Sequence, residues 1–90
     1  MEIEETITDI VHGVLKKHGI SRDMITADKS IVDDLKAESL DIIEMMLTFE
    51  ETFDVSIADE EIVGIRTIED LYRKVNNLLE SQKHLASNPQ

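Results

Sequence analysis

The chain has no cysteine, no tryptophan and a single proline, and aromatic residues make up only 3% of its 90 positions. Without cysteine there is no disulfide framework, no thiolate metal site and no thiol nucleophile in the chain. Any thiol chemistry has to be brought from outside. With so few rings, the core must be built from Ile, Leu, Val and Met. Basic residues are scarce as well: nine Lys and Arg stand against twenty Asp and Glu, for a formal charge of −11. That balance opposes contact with nucleic acid or an anionic lipid surface and favours partners with basic faces. No apolar run is long enough to span a bilayer, and the opening Met-Glu-Ile-Glu-Glu has the wrong charge for a secretory or transit segment. The expectation is a cytoplasmic monomer without membrane insertion.

What is present suits a folded aliphatic domain, with 41% hydrophobic and 32% charged residues. A chain of this size buries only about 60–65% of its unfolded surface, which leaves little room for a deep substrate cavity. A small binding or carrier module fits better. Ile3, Ile7, Ile10, Val11, Val14 and Leu15 recur at helical spacing, with acids early and Lys16, Lys17 and His18 just before Gly19. Charge placement follows the helix dipole, and Gly19 supplies a stop. Residues 19–38 lack a clean period, but Ile20, Met24, Ile25, Ile31, Val32 and Leu35 are spread through them. They predict a packed crossover with a short helical turn, since a bare loop of that length is unusual in a compact domain.

A second helix is expected from Ser39 to Phe53, and a short third one from Asp59, whose carboxylate can cap it, to Gly64. The last helix opens with the capping-box pattern Thr67-Ile-Glu-Asp70 and carries Ile68, Leu71, Tyr72, Val75, Leu78 and Leu79 on its apolar side. After Ser81 no period is left. The expected fold is all-α: a small four-helix bundle, three main helices plus a short third one, with a long first loop. It forms one domain over residues 1–80, followed by a flexible tail over 81–90.

On a wheel of residues 39–53, Ile42, Met45, Met46, Phe49 and Phe53 share the core-facing side. Leu40, Ile43 and Leu47 form a second apolar stripe among Glu44, Glu50 and Glu51. A helix central in a small bundle can use both sides for packing. The other possibility is a docking surface, apolar at its centre and ringed by carboxylates that steer basic partners. Residues 37–65 favour docking, because they hold Glu38, Asp41, Glu44, Glu50, Glu51, Asp54, Asp59, Glu60 and Glu61 but no Lys or Arg. Ser39 stands at the mouth of this helix. Its simplest role is that of an N-cap, worth about 1 kcal/mol. A hydroxyl at a helix entrance is also exposed, where free N–H groups and the dipole favour an attached phosphate.

These residues carry a family resemblance. Asp34-Leu-Lys-Ala-Glu-Ser-Leu-Asp41, followed by Ile-Ile-Glu-Met-Met-Leu-Thr-Phe-Glu-Glu-Thr-Phe53 and Val-Ser-Ile-Ala-Asp-Glu-Glu61, resembles the acyl carrier proteins, and the match extends from the first helix through Leu79. The resemblance implies that Ser39, flanked by Glu38 and Leu40, carries 4′-phosphopantetheine transferred from coenzyme A. The donor enzyme would be a magnesium-dependent holo-acyl-carrier-protein synthase or another phosphopantetheinyl transferase. It further implies acyl groups held as thioesters on the cofactor's thiol and delivered to enzymes of fatty-acid, polyketide or related biosynthesis. The chain would be a carrier and not a catalyst. Leu40, Asp41, Ile43, Glu44, Leu47, Glu50, Glu51, Glu60 and Glu61 would meet the basic patches of synthase and acyl-transfer partners. Phe49, Phe53, Ile57, Ile62 and Leu71 would line the space between helices where an acyl chain shelters. Two departures stand out. The family's Gly-Ala-Asp-Ser-Leu becomes Lys36-Ala37-Glu38-Ser39-Leu40, and Ala58 replaces a common proline before the third helix; both lean towards a specialised carrier.

Rival functions find less support. A hydrolase would need a base for Ser39, yet His12 and His18 lie six residues apart on different faces of the first helix, His84 is in the tail, and no Gly-x-Ser-x-Gly elbow exists. A metal switch would need an Asp-x-Asp-x-Asp-Gly loop or a His-Glu-x-x-His pair, and neither occurs. The alternative is an acidic helical interaction module whose serine is never modified.

Overall fold

The helical periodicities become four helices: α1 (Glu2–Leu15), α2 (Ser39–Phe53), α3 (Asp59–Val63) and α4 (Ile68–Ala86). The computed structural model describes residues 2–86, and the side chains of residues 3–81. α1 packs against both α2 and α4. The core is the meeting of three stripes read from the sequence: Ile7, Val11 and Leu15 of α1, Met45 and Phe49 of α2, and Ile68, Leu71 and Val75 of α4 are all at most 1% exposed. Burying such side chains stabilises by about 1.5–3 kcal/mol each. A polar link joins the outer helices where the stripes end. The Tyr72 hydroxyl donates to Thr8 Oγ1 at 2.8 Å, while Thr8 donates to the Glu4 carbonyl at 2.9 Å. The expected all-α four-helix bundle is the observed architecture, and no described helix is long and apolar enough to cross a membrane.

α1 tightens into a 3-10 turn at Lys16–His18 and is stopped by Gly19, whose φ of +83° lies in the left-handed region where a Cβ would clash. The crossover that follows is packed as expected, through buried Ile20, Ile25, Ile31, Leu35 and Ala37, and its helical turn is Arg22–Met24. Met24 and Val32 remain on the surface. Backbone bonds explain why so long a segment is fixed. The Ile68 N–H donates to the Lys29 carbonyl at 3.1 Å and the Glu69 N–H to the Ala27 carbonyl at 2.9 Å, while the Ile31 N–H donates to the Arg66 carbonyl at 2.9 Å. The first N–H groups of a helix have no partner within it, and here the crossover supplies their acceptors.

The Thr67 capping box is present: the Asp70 N–H donates to Thr67 Oγ1 at 3.2 Å and the Thr67 N–H to Asp70 Oδ2 at 3.0 Å. Two boundaries differ from expectation. Asp59 is the first residue of α3 and not its cap; Ala58 holds the cap position, and its N–H donates to Glu61 Oε1 at 2.9 Å. α4 continues past Ser81 to Ala86, because Gln, Lys, Leu and Ala sustain a helix without an apolar stripe. Residues 87–90 of the expected tail lie outside the described residues.

Candidate functional site

Ser39 is the first residue of α2, and Glu38 before it is the N-cap with extended backbone. Capping is therefore not the role of Ser39. That task falls to Asp41, whose Oδ2 accepts the Glu38 N–H at 2.9 Å. An acid three positions after the cap can reach back to the cap N–H, the reciprocal arm of a capping box. Ser39, Glu38 and Leu40 are all exposed. The Ser39 hydroxyl is thus presented to solvent at the positive end of a 15-residue helix whose start does not depend on it.

Asp41 departs from the docking expectation. It is 3% exposed, and its carboxylate is turned inward onto the end of α1. Oδ2 also accepts from His18 Nε2 at 2.9 Å, and Oδ1 lies 3.1 Å from Lys17 Nζ. The Glu38 N–H, aided by His18 and Lys17, holds the carboxyl at about 2 although burial opposes this. Lys17 Nζ also lies 3.7 Å from Glu44 Oε1, and the Asp41 contact raises the ammonium above its ordinary range. The stretch of acids without Lys or Arg is therefore not bare in space, since a cation from another element reaches it.

Two more acids of the expected docking set serve the fold. Glu50 Oε2 accepts the Ile57 N–H at 2.7 Å and so braces the connection from α2 to α3. Glu61 accepts the Ala58 N–H and lies 3.6 Å from Lys74 Nζ. Glu51 and Glu60 are exposed, as are Asp54 and Asp59, and Glu44 is exposed beside Lys17. Between them the second apolar stripe is open to solvent: Leu40 is 77% exposed, Ile43 50% and Leu47 56%. It is not core. Val63 at the end of α3 is 80% exposed, and sequence reasoning missed it. The signal was available, because neighbouring side chains on a helix diverge by about 100° and Ile62 already takes the inward position.

Of the residues expected to shelter an acyl chain, Phe49, Ile57 and Leu71 are closed into the core, and Phe53 and Ile62 pack against it half-buried. The Phe49 and Phe53 ring centroids are 6.5 Å apart. Neither of two surface clefts, one around Met24 and Lys29 and one around Gly64 and Arg73, is lined by any of the five. His18 Nε2 is bonded to Asp41, which leaves it no part as a base for Ser39. Among the described residues no group of three or more His, Cys, Asp or Glu could hold a metal ion.

The residues suit a phosphodiester at Ser39. Ser39 is exposed, the helix dipole favours negative charge there, and the charge of nearby Asp41 is already paired with Lys17.

Comparison with known proteins agrees. The family described as phosphopantetheine attachment site matches residues 5–75. The acyl carrier protein of Syntrophobacter fumaroxidans is 38% identical over 72 residues, covering 80% of this chain and 89% of the relative. That of Exiguobacterium sp. is 35% identical over 79 residues, 88% of this chain and 100% of the relative. The crystal structure of the acyl carrier protein of Thermotoga maritima superposes with a TM-score of 0.73 at 31% identity, covering 90% of this chain and 94% of that one. The chain belongs to the acyl carrier proteins, phosphopantetheine-bearing carriers that are not themselves catalysts.

Proposed function

We propose that Ser39 is the attachment residue for 4′-phosphopantetheine and that the chain is a cytoplasmic carrier of acyl intermediates for fatty-acid, polyketide or related biosynthesis. The observation that carries this is the exposure of Ser39 at the first position of α2 while Glu38 and Asp41 do the capping. Esterifying the hydroxyl therefore costs the helix no cap. The bound group supplies a thiol, absent from the chain itself, on which acyl groups travel as thioesters. The chain's own residues keep Ser39 at a rigid helix start and offer a partner the stripe Leu40, Ile43 and Leu47. Glu44, Glu51 and Glu60 attract the partner's cations, and Asp41, Glu50 and Glu61 hold the surface in shape. Phe49, Phe53, Ile57, Ile62 and Leu71 form the apolar interior against which an acyl chain shelters when the helices part.

Intact mass tests the attachment. Co-expression with a broad-specificity phosphopantetheinyl transferase and coenzyme A should add one phosphopantetheine to the wild type and none to Ser39→Ala. A wild type that stays unmodified with several such transferases overturns the proposal in favour of a plain interaction module. For docking, Glu51→Lys with Glu60→Lys should lower partner turnover while leaving helicity by circular dichroism unchanged.

A further inference from the structure

We propose that Lys17 is a fixed charge screen over the entry turn of α2, a specificity determinant that decides which basic partners are admitted next to Ser39. The inference rests on the docking function proposed above and refines it. Lys17 belongs to the 3-10 turn that closes α1, held in place by the left-handed stop at Gly19. From there its ammonium reaches across to α2, 3.1 Å from Asp41 Oδ1 and 3.7 Å from Glu44 Oε1. Asp41 is closed to a partner, since it is 3% exposed and its other oxygen takes the Glu38 N–H and His18. The acids of α2 that follow Ser39 most closely thus share one cation before any partner arrives. Farther along, Glu51, Asp54, Asp59 and Glu60 are exposed and take part in no ion pair among the described residues.

The resulting surface is graded. Beside the serine, Lys17 and exposed Lys36 offset part of the charge of Glu38, Asp41 and Glu44, whereas beyond Leu47 the exposed acids Glu51, Asp54, Asp59 and Glu60 are not offset by any ion pair among the described residues. A partner whose cations engage the far acids is drawn in freely, whereas one that must place a cation on the entry turn meets the Lys17 ammonium. Half of the Lys17 side chain is in solvent, with a relative exposure of 54%, so this repulsion is felt at the surface. It acts on encounter and is screened by salt, because the ammonium is within reach of mobile ions.

Phosphopantetheine loading of the full chain by a transferase, with coenzyme A and magnesium, reads this out. At low ionic strength Lys17→Gln should lower the KM for the carrier about 3–10-fold with kcat unchanged, and the gain should vanish near 0.5 M salt, where the screening length falls to about 4 Å. Lys17→Arg, which keeps the charge, should behave as wild type. Lys17→Met, which keeps the apolar stem and has no amide, should show the same gain, which ties it to the lost charge. An unchanged or higher KM in both neutral variants, a gain that persists at high salt, or an arginine variant that matches glutamine overturns the screen. Two controls separate this failure from that of the underlying function. If the wild type is not loaded at all, both fall. If it is loaded and Glu51→Lys raises its KM while the neutral Lys17 variants change nothing, docking stands and the screen alone is lost.

Discussion

The two ends of α2 carry the same kind of residue and use it in opposite ways. At the entry, Asp41 is buried and bonded to Glu38, His18 and Lys17; at the exit, Glu51 and Asp54 stand in solvent, with Glu60 exposed on α3. Residue type does not separate them. What separates them is whether an N–H without a partner lies within reach of the carboxylate. Asp41 follows the cap by three positions, where the cap N–H points back at it. Around Glu51 every backbone N–H is already taken by the helix ladder, so its charge has only water and visitors to meet. Glu50 and Glu61 lie between these extremes, each accepting one N–H just outside its own helix. The entry is built to hold a shape and the exit to present a charge.

The contrast can be broken most forcefully on the apolar residues. Phe49 and Leu47 are two positions apart on α2, one fully buried and the other mostly exposed. Phe49→Ala should cost about 3–5 kcal/mol in urea unfolding, while Leu47→Ala should stay within about 0.5 kcal/mol and act on partner turnover instead. The acids come next. Asp41→Ala takes the acceptor from the Glu38 N–H and leaves Lys17 and His18 without their partner, which should cost about 1–3 kcal/mol; Glu51→Ala should cost about 0.5 kcal/mol or less. Equal losses at the two positions would erase the distinction between the ends.

Acid titration sharpens the same comparison. The folded-state value of Asp41, about 2, lies below its ordinary 3.8. The stabilisation it gives is therefore complete above the unfolded value and is lost as pH falls from about 4 through about 2. Urea unfolding across that window should show the wild type converging on Asp41→Asn. Asp70, also held low by the Arg66 and Thr67 N–H groups, titrates alike in both proteins and cancels.

Sequence reasoning reached what periodicity and local spacing encode. The bounds of α2, the stop at Gly19, the Thr67 box and the split of α2 into a buried and an open stripe all depend on neighbours within one or two turns. The resemblance supplied the cofactor, and with it the proposal that Ser39 carries it. The pairing of Lys17 and His18 with Asp41 was out of reach, because it joins two elements through a crossover whose path no local pattern sets. For the same reason Asp41 looked like a surface acid. Ser39 looked like a cap because serine is favoured there; the acid three positions later from Glu38 was the competing signal, and it won. Asp59 lost the cap position in the same way, to the Glu61 carboxylate reaching the Ala58 N–H.

The smallest effects lie in the backbone at either end of the helix. Among the described residues, Lys36 before the entry and Asp54 at the exit are the non-glycine residues with positive φ, at 62° and 56°. Lys36 is held there while its N–H donates to the Val32 carbonyl at 3.1 Å and the Ala37 N–H to the Ile31 carbonyl at 3.0 Å, so the chain cannot relax without releasing the turn that leads to Ser39. The glycine usual at this position in the family has no Cβ to strain, whereas a lysine pays about 1–2 kcal/mol for the left-handed state, partly offset by the extra freedom glycine has when unfolded. Asp54 visits the same region at less cost, because a short polar side chain can bond locally. Lys36→Gly should therefore stabilise by about 0.5–1 kcal/mol and Asp54→Gly by about half that or less, both measured as shifts in the urea midpoint at constant slope. A larger gain at Asp54 than at Lys36 would mean that strain sits at the exit, and the entry turn would lose its standing as the over-determined end of the helix.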